Sequence, residues 1–203
     1  MPELIYKSHN EVHPTSWSSD GRFLMYAEQN KETGYDLAVL QMEGERKSMP
    51  LLDSKFNETE GRFSPDGHWI AYVSDQYGMK EVYLRQLLKG PDSALAVSGG
   101  MLQISQGGGN GPRWRGDGRE LYYLASTGDI MTVEVTGKEE MEVGNPRPLF
   151  RKNLDNSLGS EFFDLSNWDV GRDGNRFLLP MPNVDSASSP FTIILNWTSL
   201  LEQ

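Results

Sequence analysis

The 203-residue chain has no cysteine. Disulfide scaffolds, thiol nucleophiles and thiolate zinc sites are therefore excluded. Histidine is scarce, with three copies: His9, His13 and His68. No apolar run is long enough to cross a bilayer as a helix, so no membrane insertion by this chain is expected. The start, Met-Pro-Glu-Leu-Ile-Tyr-Lys, has no apolar core of the kind a secretory leader needs, and no leader is expected. Basic charge is also short, at 19 residues against 29 acidic, for a net charge of −10. The two halves share that imbalance evenly. A surface of this sign repels phosphate backbones, so nucleic acid is a disfavoured partner. Amphipathic helical periodicity is missing beyond a turn or two.

What is present points to a folded, turn-rich protein. Hydrophobic residues make up 37% of the chain and aromatics 10%, too many for disorder. The 21 glycines and 11 prolines imply many turns and therefore many short strands. The dipeptide Asp-Gly recurs at Asp20-Gly21, Asp66-Gly67, Asp117-Gly118 and Asp173-Gly174, at spacings of 46, 51 and 56. Three residues before each Asp stand Trp17, Phe63, Trp114 and Val170. Four after it stand Leu24, Ile70, Leu121 and Phe177, and six after it Tyr26, Tyr72, Tyr123 and Leu179. One Asp-Gly is a weak signal; four in matching apolar register define a repeat.

Each unit reads as an antiparallel meander turned by its Asp-Gly, because Gly accepts positive φ and Asp tolerates it. The first strands are 15–17, 61–63, 112–114 and 163–170. The second are 23–27, 69–73, 120–125 and 176–181, and the third 35–41, 81–86, 129–135 and 191–197. Fainter fourth strands are expected at 48–52, at 94–98 or 102–105, and at 148–152. One meander cannot bury both of its faces, whereas several packed around an axis can. The expected fold is all-β: a single-domain β-propeller over 1–203 with four-stranded antiparallel blades at about 13–52, 59–105, 110–152 and 161–198. Trp17, Phe63 and Trp114 are expected to pack between blades. Residues 3–7 are expected to close the ring as the outer strand of the fourth blade. The alternative is a part of a larger ring. A closed ring implies a monomer and a half-ring implies a dimer.

The run Phe63-Ser64-Pro65-Asp66-Gly67-His68-Trp69-Ile70-Ala71-Tyr72 resembles the repeat signature of TolB-like, WD-like propellers. Together with residues 56–63, 112–118 and 189–197, it is similar to the C-terminal propeller region of bacterial serine/threonine protein kinases. The first repeat departs with Ser18-Ser19, and the fourth with Val170-Gly171-Arg172. The resemblance implies a sensing or scaffolding role. It does not carry kinase activity, because the Gly-rich loop, the His-Arg-Asp loop and Asp-Phe-Gly are absent.

Few residue patterns point to chemistry. Gly107-Gly108-Gly109-Asn110-Gly111 has no following Lys-Ser/Thr and precedes a strand, so it reads as a flexible connection and not a phosphate cradle. His9 and His13 flank Glu11 without forming the zinc motif. No Gly-x-Ser-x-Gly elbow occurs, and Ser98 and Ser160 have a Gly on one side alone. Asp169 with Asp173, and the acidic run Glu139-Glu140-Glu142, show no spacing that identifies a catalytic pair. Asn57-Glu58-Thr59 and Asn196-Trp197-Thr198 match the glycosylation sequon by chance. No cofactor is expected. The function expected is a non-catalytic module for a protein or peptide partner, with loop and channel residues Asn30, Tyr35, Asn57, Glu58, Gln76, Tyr77, Asn110 and Arg113. Arg113 either faces an anionic partner in the channel or pairs with neighbouring carboxylates. The alternative function is a hydrolase or lyase acting on a sugar or peptide in that channel.

Overall fold

A computed structural model describes residues 3–90, 94–137, 141–151, 168–180 and 191–195. Within them the Asp-Gly turns set the folding unit. In each, the Gly amide donates to the carbonyl three residues back, to Ser18, Ser64, Arg115 and Gly171, at 2.8–2.9 Å. The four glycines take φ of 70–74°. The Asp stays out of the left-handed region and acts through its side chain. Oδ1 of Asp20, Asp66, Asp117 and Asp173 accepts the amide two residues on, at 3.0–3.1 Å. In the first two repeats Ser18 and Ser64 add a hydroxyl that donates to the Asp and accepts the amide opening the next strand.

Four antiparallel sheets follow in chain order. The first is β1 (Val12–Trp17), β2 (Phe23–Asn30), β3 (Gly34–Gln41) and β4 (Ser48–Leu52). The second is β5 (Glu58–Phe63), β6 (Trp69–Ser74), β7 (Glu81–Lys89) and β8 (Leu95–Val97), with β9 (Leu102–Gln103) also on β7. The third is β10 (Gly109–Trp114), β11 (Glu120–Ala125), β12 (Asp129–Thr136) and β13 (Glu142–Val143), with β14 (Arg147–Arg151) also on β12. The fourth is β15 (Asp169–Val170), β16 (Arg176–Pro180) and β17 (Phe191–Leu195). The expected strand over 163–167, and the C-terminal ends at 181 and 196–197, lie outside the described residues. No helix long and apolar enough to cross a membrane occurs among the described residues.

The two candidate outer strands of the second repeat both form. β8 pairs Leu87–Lys89 and β9 pairs Tyr83 and Leu84. One short strand cannot cover a nine-residue β7, so two pieces share it. The same happens on β12, where β13 was not foreseen because Glu142 reads as part of an acidic run.

Packing between sheets makes the core. Phe23, Met25, Leu37 and Val39 of blade one pack against Phe63, Ile70 and Tyr72 of blade two. Ala71, Val73, Val82 and Leu84 of blade two meet Leu121, Tyr123 and Val133 of blade three. Tyr122, Leu124 and Ile130 then meet Trp168, Phe177 and Leu179 of blade four. Phe63 and Trp114 hold the expected positions between blades. Trp17 does not: it is largely exposed, and no core cluster of the described residues includes it.

Residues 3–7 form no strand. They lie along the first blade, where Ile5 and Tyr6 pack on Leu24, Tyr26, Ala38 and Leu40. The Tyr6 and Tyr26 rings are 5.2 Å apart. The Tyr6 hydroxyl donates to Glu28 at 3.3 Å, and Arg46 donates to Glu3 at 2.8 Å. The expected closing strand is therefore a cap on blade one's front face. Removing the first eight residues is expected to uncover Leu24, Tyr26 and Leu40 and to destabilise the fold by about 2–4 kcal/mol. Chemical denaturation of the truncated chain checks this, and an unchanged midpoint would contradict the cap.

Candidate functional site

Two places collect polar side chains. One is the row of inner strands. The other is the end of the molecule opposite the Asp-Gly turns, where the loops between second and third strands lie.

Each of the first three inner strands carries a bulge, between Pro14 and Ser16, Thr59 and Arg62, and Asn110 and Arg113. At the bulge Glu60 has φ 56°, and Gly111 at the equivalent place has φ 61°. A non-glycine residue in this region carries strain. Glu60 is held there by its side chain, whose Oε2 accepts the Gly111 amide of the next blade at 2.5 Å. Arg62 reaches the other way, and its Nη1 donates to the carbonyl of Thr15 in blade one. Arg113 Nε donates to the Trp168 carbonyl of blade four at 2.9 Å, and Nη1 to its neighbour Pro112. Asp169 Oδ1 lies 3.6 Å from Arg113 Nε, and the guanidinium sits 5.4 Å from the Trp168 ring centre. Burial, with the like charge of Arg62 nearby, pushes Arg113 down to about 10. These side chains join all four inner strands. Arg113 thus takes the paired alternative, tied to blade four.

The loop end is equally engaged. Asn57 Oδ1 accepts the Tyr35 amide at 3.1 Å, and its amide groups donate to Asp75 at 3.0 and 2.7 Å. Gly34 makes room for this. A Cβ there would sit 2.0 Å from Asn57 Oδ1. Asn30 donates to Asp36 at 2.7 Å, and Tyr35 donates its hydroxyl to Glu11 at 3.1 Å. Gln76 donates to the Met101 sulfur at 3.0 Å. Asn110 Oδ1 is buried without a hydrogen bond. The Gly107–Gly111 connection is hydrogen-bonded along its length. The Gly108 amide donates to Glu81 and the Gly109 amide to the Lys80 carbonyl, both at 2.9 Å. Its amides thus bind the chain's own groups.

Glu58 is 4% exposed. Ser54 donates to its Oε1, while Oε2 is buried without a hydrogen bond. Burial first, and then the charges of Asp36 and Asp75, raise its carboxyl above the ordinary value. Ser54 belongs to a pattern that the apolar register concealed. Ser8, Ser54 and Ser105 each stand twelve residues before a turn Asp. Each donates to a buried or half-buried carboxylate, Glu28, Glu58 and Glu81 respectively. The serines recur in sequence, but the carboxylates come from different strands. Spacing therefore reveals half of each pair. Glu60, Arg62 and Asp75 also escaped the sequence reading, because nothing local marks a residue that bonds to another blade.

Two of the expected residues, Asn30 and Tyr77, are exposed. Tyr77 is 70% exposed, with its ring 6.5 Å from that of Tyr83, and Met79 beside it is 50% exposed. Leu102 is exposed on the same blade. Among the described residues no group of three His, Asp or Glu side chains is placed to hold a metal ion.

No protein-family model matches the chain, and no curated protein is similar to it. Solved structures are. TolB from Acinetobacter baumannii matches with a TM-score of 0.64 at 14% identity, over 96% of this chain and 43% of that one. The fold is similar to TolB and to other β-propeller proteins. An oligogalacturonate lyase in complex with manganese matches at 0.57 and 13% identity, over 97% of this chain and 54% of that one. A protein from Lactobacillus plantarum matches at 0.56 and 14%, over 91% and 54%. The chain spans about half the length of these TolB-like and lyase structures, and at such identity the likeness is one of fold.

Two outcomes follow from the geometry. Arg113→Met leaves the Trp168 and Pro112 carbonyls without their donor and is expected to cost about 2–4 kcal/mol, read by denaturation. Unchanged stability would return Arg113 to the ligand-facing reading. For Glu58, a raised carboxyl means the neutral form suits the folded state better. Its contribution is complete below the ordinary value of 4.5 and is lost as pH rises through the raised one. Glu58→Gln is therefore expected to raise Tm at neutral pH and to flatten the Tm–pH curve above 4.5. A wild-type slope in the variant would contradict this.

Proposed function

We propose that this protein is a non-catalytic binding module whose partner is a protein or peptide, held at the rim of blade two. The observation that supports this is Tyr77, with Met79 and Leu102, standing exposed on a blade packed on both faces. Tyr and Met are enriched in protein interfaces, and a fixed scaffold lowers the ordering cost of presenting them. Most of the polar candidates bond within the chain, so a contact there would first have to break those bonds. The resemblance of residues 56–63, 112–118 and 189–197 to the propeller region of bacterial serine/threonine kinases is what supports a sensing role beside such a domain.

Selection of binders from a random peptide library on the immobilised protein tests the reading. Peptides that bind wild type are expected to lose about tenfold or more in affinity to the Tyr77→Ala, Met79→Ala double variant, with Tm unchanged. Binders that ignore the double variant would overturn the rim as the site. Turnover of a sugar or peptide substrate by the wild-type protein would overturn the non-catalytic reading.

A further inference from the structure

Charge is unevenly placed on this chain. At the seam between blades one and two, on the end opposite the Asp-Gly turns, segments 28–36, 53–58 and 74–81 carry seven carboxylates against three lysines. Asn57 ties these segments together, accepting the Tyr35 amide on one side and donating to Asp75 on the other. At the turn end of the same two blades, segments 18–23, 42–48, 64–69 and 87–90 carry four carboxylates against four Lys and Arg. Ion pairs follow that division. Arg22 pairs with Glu43 at the turn end, whereas among the described residues no ion pair reaches Glu32, Asp36, Asp53, Glu58 or Asp75. The donors that do reach the seam are uncharged: Asn30 and Thr33 on Asp36, Asn57 on Asp75, and Ser54 on Glu58. Neutral donors fill lone pairs and leave the charge in place. Deeper in the seam, Glu58 is 4% exposed and its Oε2 has no hydrogen bond; Ser74, directly across the ladder, is 2% exposed and its Oγ has none. The Glu58 carboxyl lies in the fields of Asp36 and Asp75, which disfavour its ionisation. The seam thus lacks positive charge.

We propose that the partner held at the rim of blade two is a basic peptide, whose Lys or Arg side chains meet this carboxylate seam while an apolar neighbour packs on Tyr77 and Met79. The inference rests on the rim as the binding site and adds the chemistry of the partner. Tyr77 stands two residues from Asp75, so the exposed ring and the carboxylate share one loop. The face of an exposed tyrosine attracts a cation in its own right. A partner of opposite charge gains both steering and selectivity from such a match, and an acidic peptide would be repelled. Glu58 and Ser74 lie behind the surface, so a bound ammonium or guanidinium acts on them through its field and not by contact.

The test uses peptides selected from a random library on the immobilised wild-type chain. Those that lose affinity for the Tyr77→Ala, Met79→Ala double variant are expected to hold more Lys and Arg than Asp and Glu. Glu32→Lys and Asp53→Lys reverse exposed carboxylates that make no ion pair. Each is expected to weaken these peptides about threefold with Tm unchanged, and the loss is expected to shrink in high salt. Glu45→Lys makes the same change of net charge at the turn end and is expected to leave binding as it was. Rim-dependent peptides without a basic excess, or with full affinity for Glu32→Lys and Asp53→Lys, would overturn the inference and leave the rim standing. An equal loss in Glu45→Lys would also overturn it, because attraction would then belong to the whole chain and not to the seam. Basic peptides that bind the double variant as tightly as wild type would overturn the rim reading, and this inference with it.

Discussion

A four-stranded sheet with two apolar faces must cover both, and this constraint organises the molecule. Blade two shows the solution. Ile70, Tyr72 and Tyr83 face blade one, while Ala71, Val73, Val82 and Leu84 face blade three. The faces alternate residue by residue along β6, as a pleated strand requires. A slip of one residue would exchange the two apolar sets while keeping both buried, so hydrophobic pattern alone is a weak guardian of register here. The turns supply what the pattern lacks. Each Asp-Gly fixes its hairpin through two hydrogen bonds at a set distance from the apolar residues, so all four blades present the same phase to their neighbours.

Charge has a second, dependent role. The inner strands are narrow and bulged, and their polar side chains reach across blades: Arg62 to blade one, Glu60 to blade three, Arg113 to blade four. Strain at Glu60 fits this picture. The left-handed backbone brings the strand to the point where Oε2 meets the Gly111 amide, and the hydrogen bond offsets part of the cost. A protein that uses its axial arginines in this way has fewer of them available to a ligand. That shifts attention to the rim of blade two, where the Tyr77 ring stands exposed with its one described ring contact at Tyr83.

Much of the fold was legible because it rests on local repetition. The Asp-Gly dipeptides with apolar residues at fixed offsets identify the hairpins, and their spacing gives the blade size. The inner strands begin earlier than expected, at Val12, Glu58 and Gly109, because the bulge separates the half that ends in Trp17, Phe63 or Trp114 from a first half that carries no residue of the shared apolar register. Periodicity sees the second half alone. The site was less legible for a similar reason. Asn57, Glu58 and Arg113 were singled out as polar loop or channel residues, and in the structure they bond to Asp75, Ser54 and the Trp168 carbonyl. Nothing in a single sequence says which side chain a polar group from another blade will meet.

Trp17 shows the remaining gap between repetition and environment. Its register is that of Phe63 and Trp114, and equal register implies equal packing when every unit has two neighbours. Register is a property of the unit, whereas burial is a property of the pair. For Trp17 no second sheet of the described residues completes the pair, so the same residue type in the same strand position faces water. Residues 3–8 cover part of this face with a segment that follows no blade pattern, which is why Ile5 and Tyr6 read as a strand and function as a cap. An apolar indole left outside such a cap retains the hydrophobic driving force that buries its equivalents. The exposed indole is therefore subject to the same constraint that builds the core, at a strand where none of the described sheets lies against it.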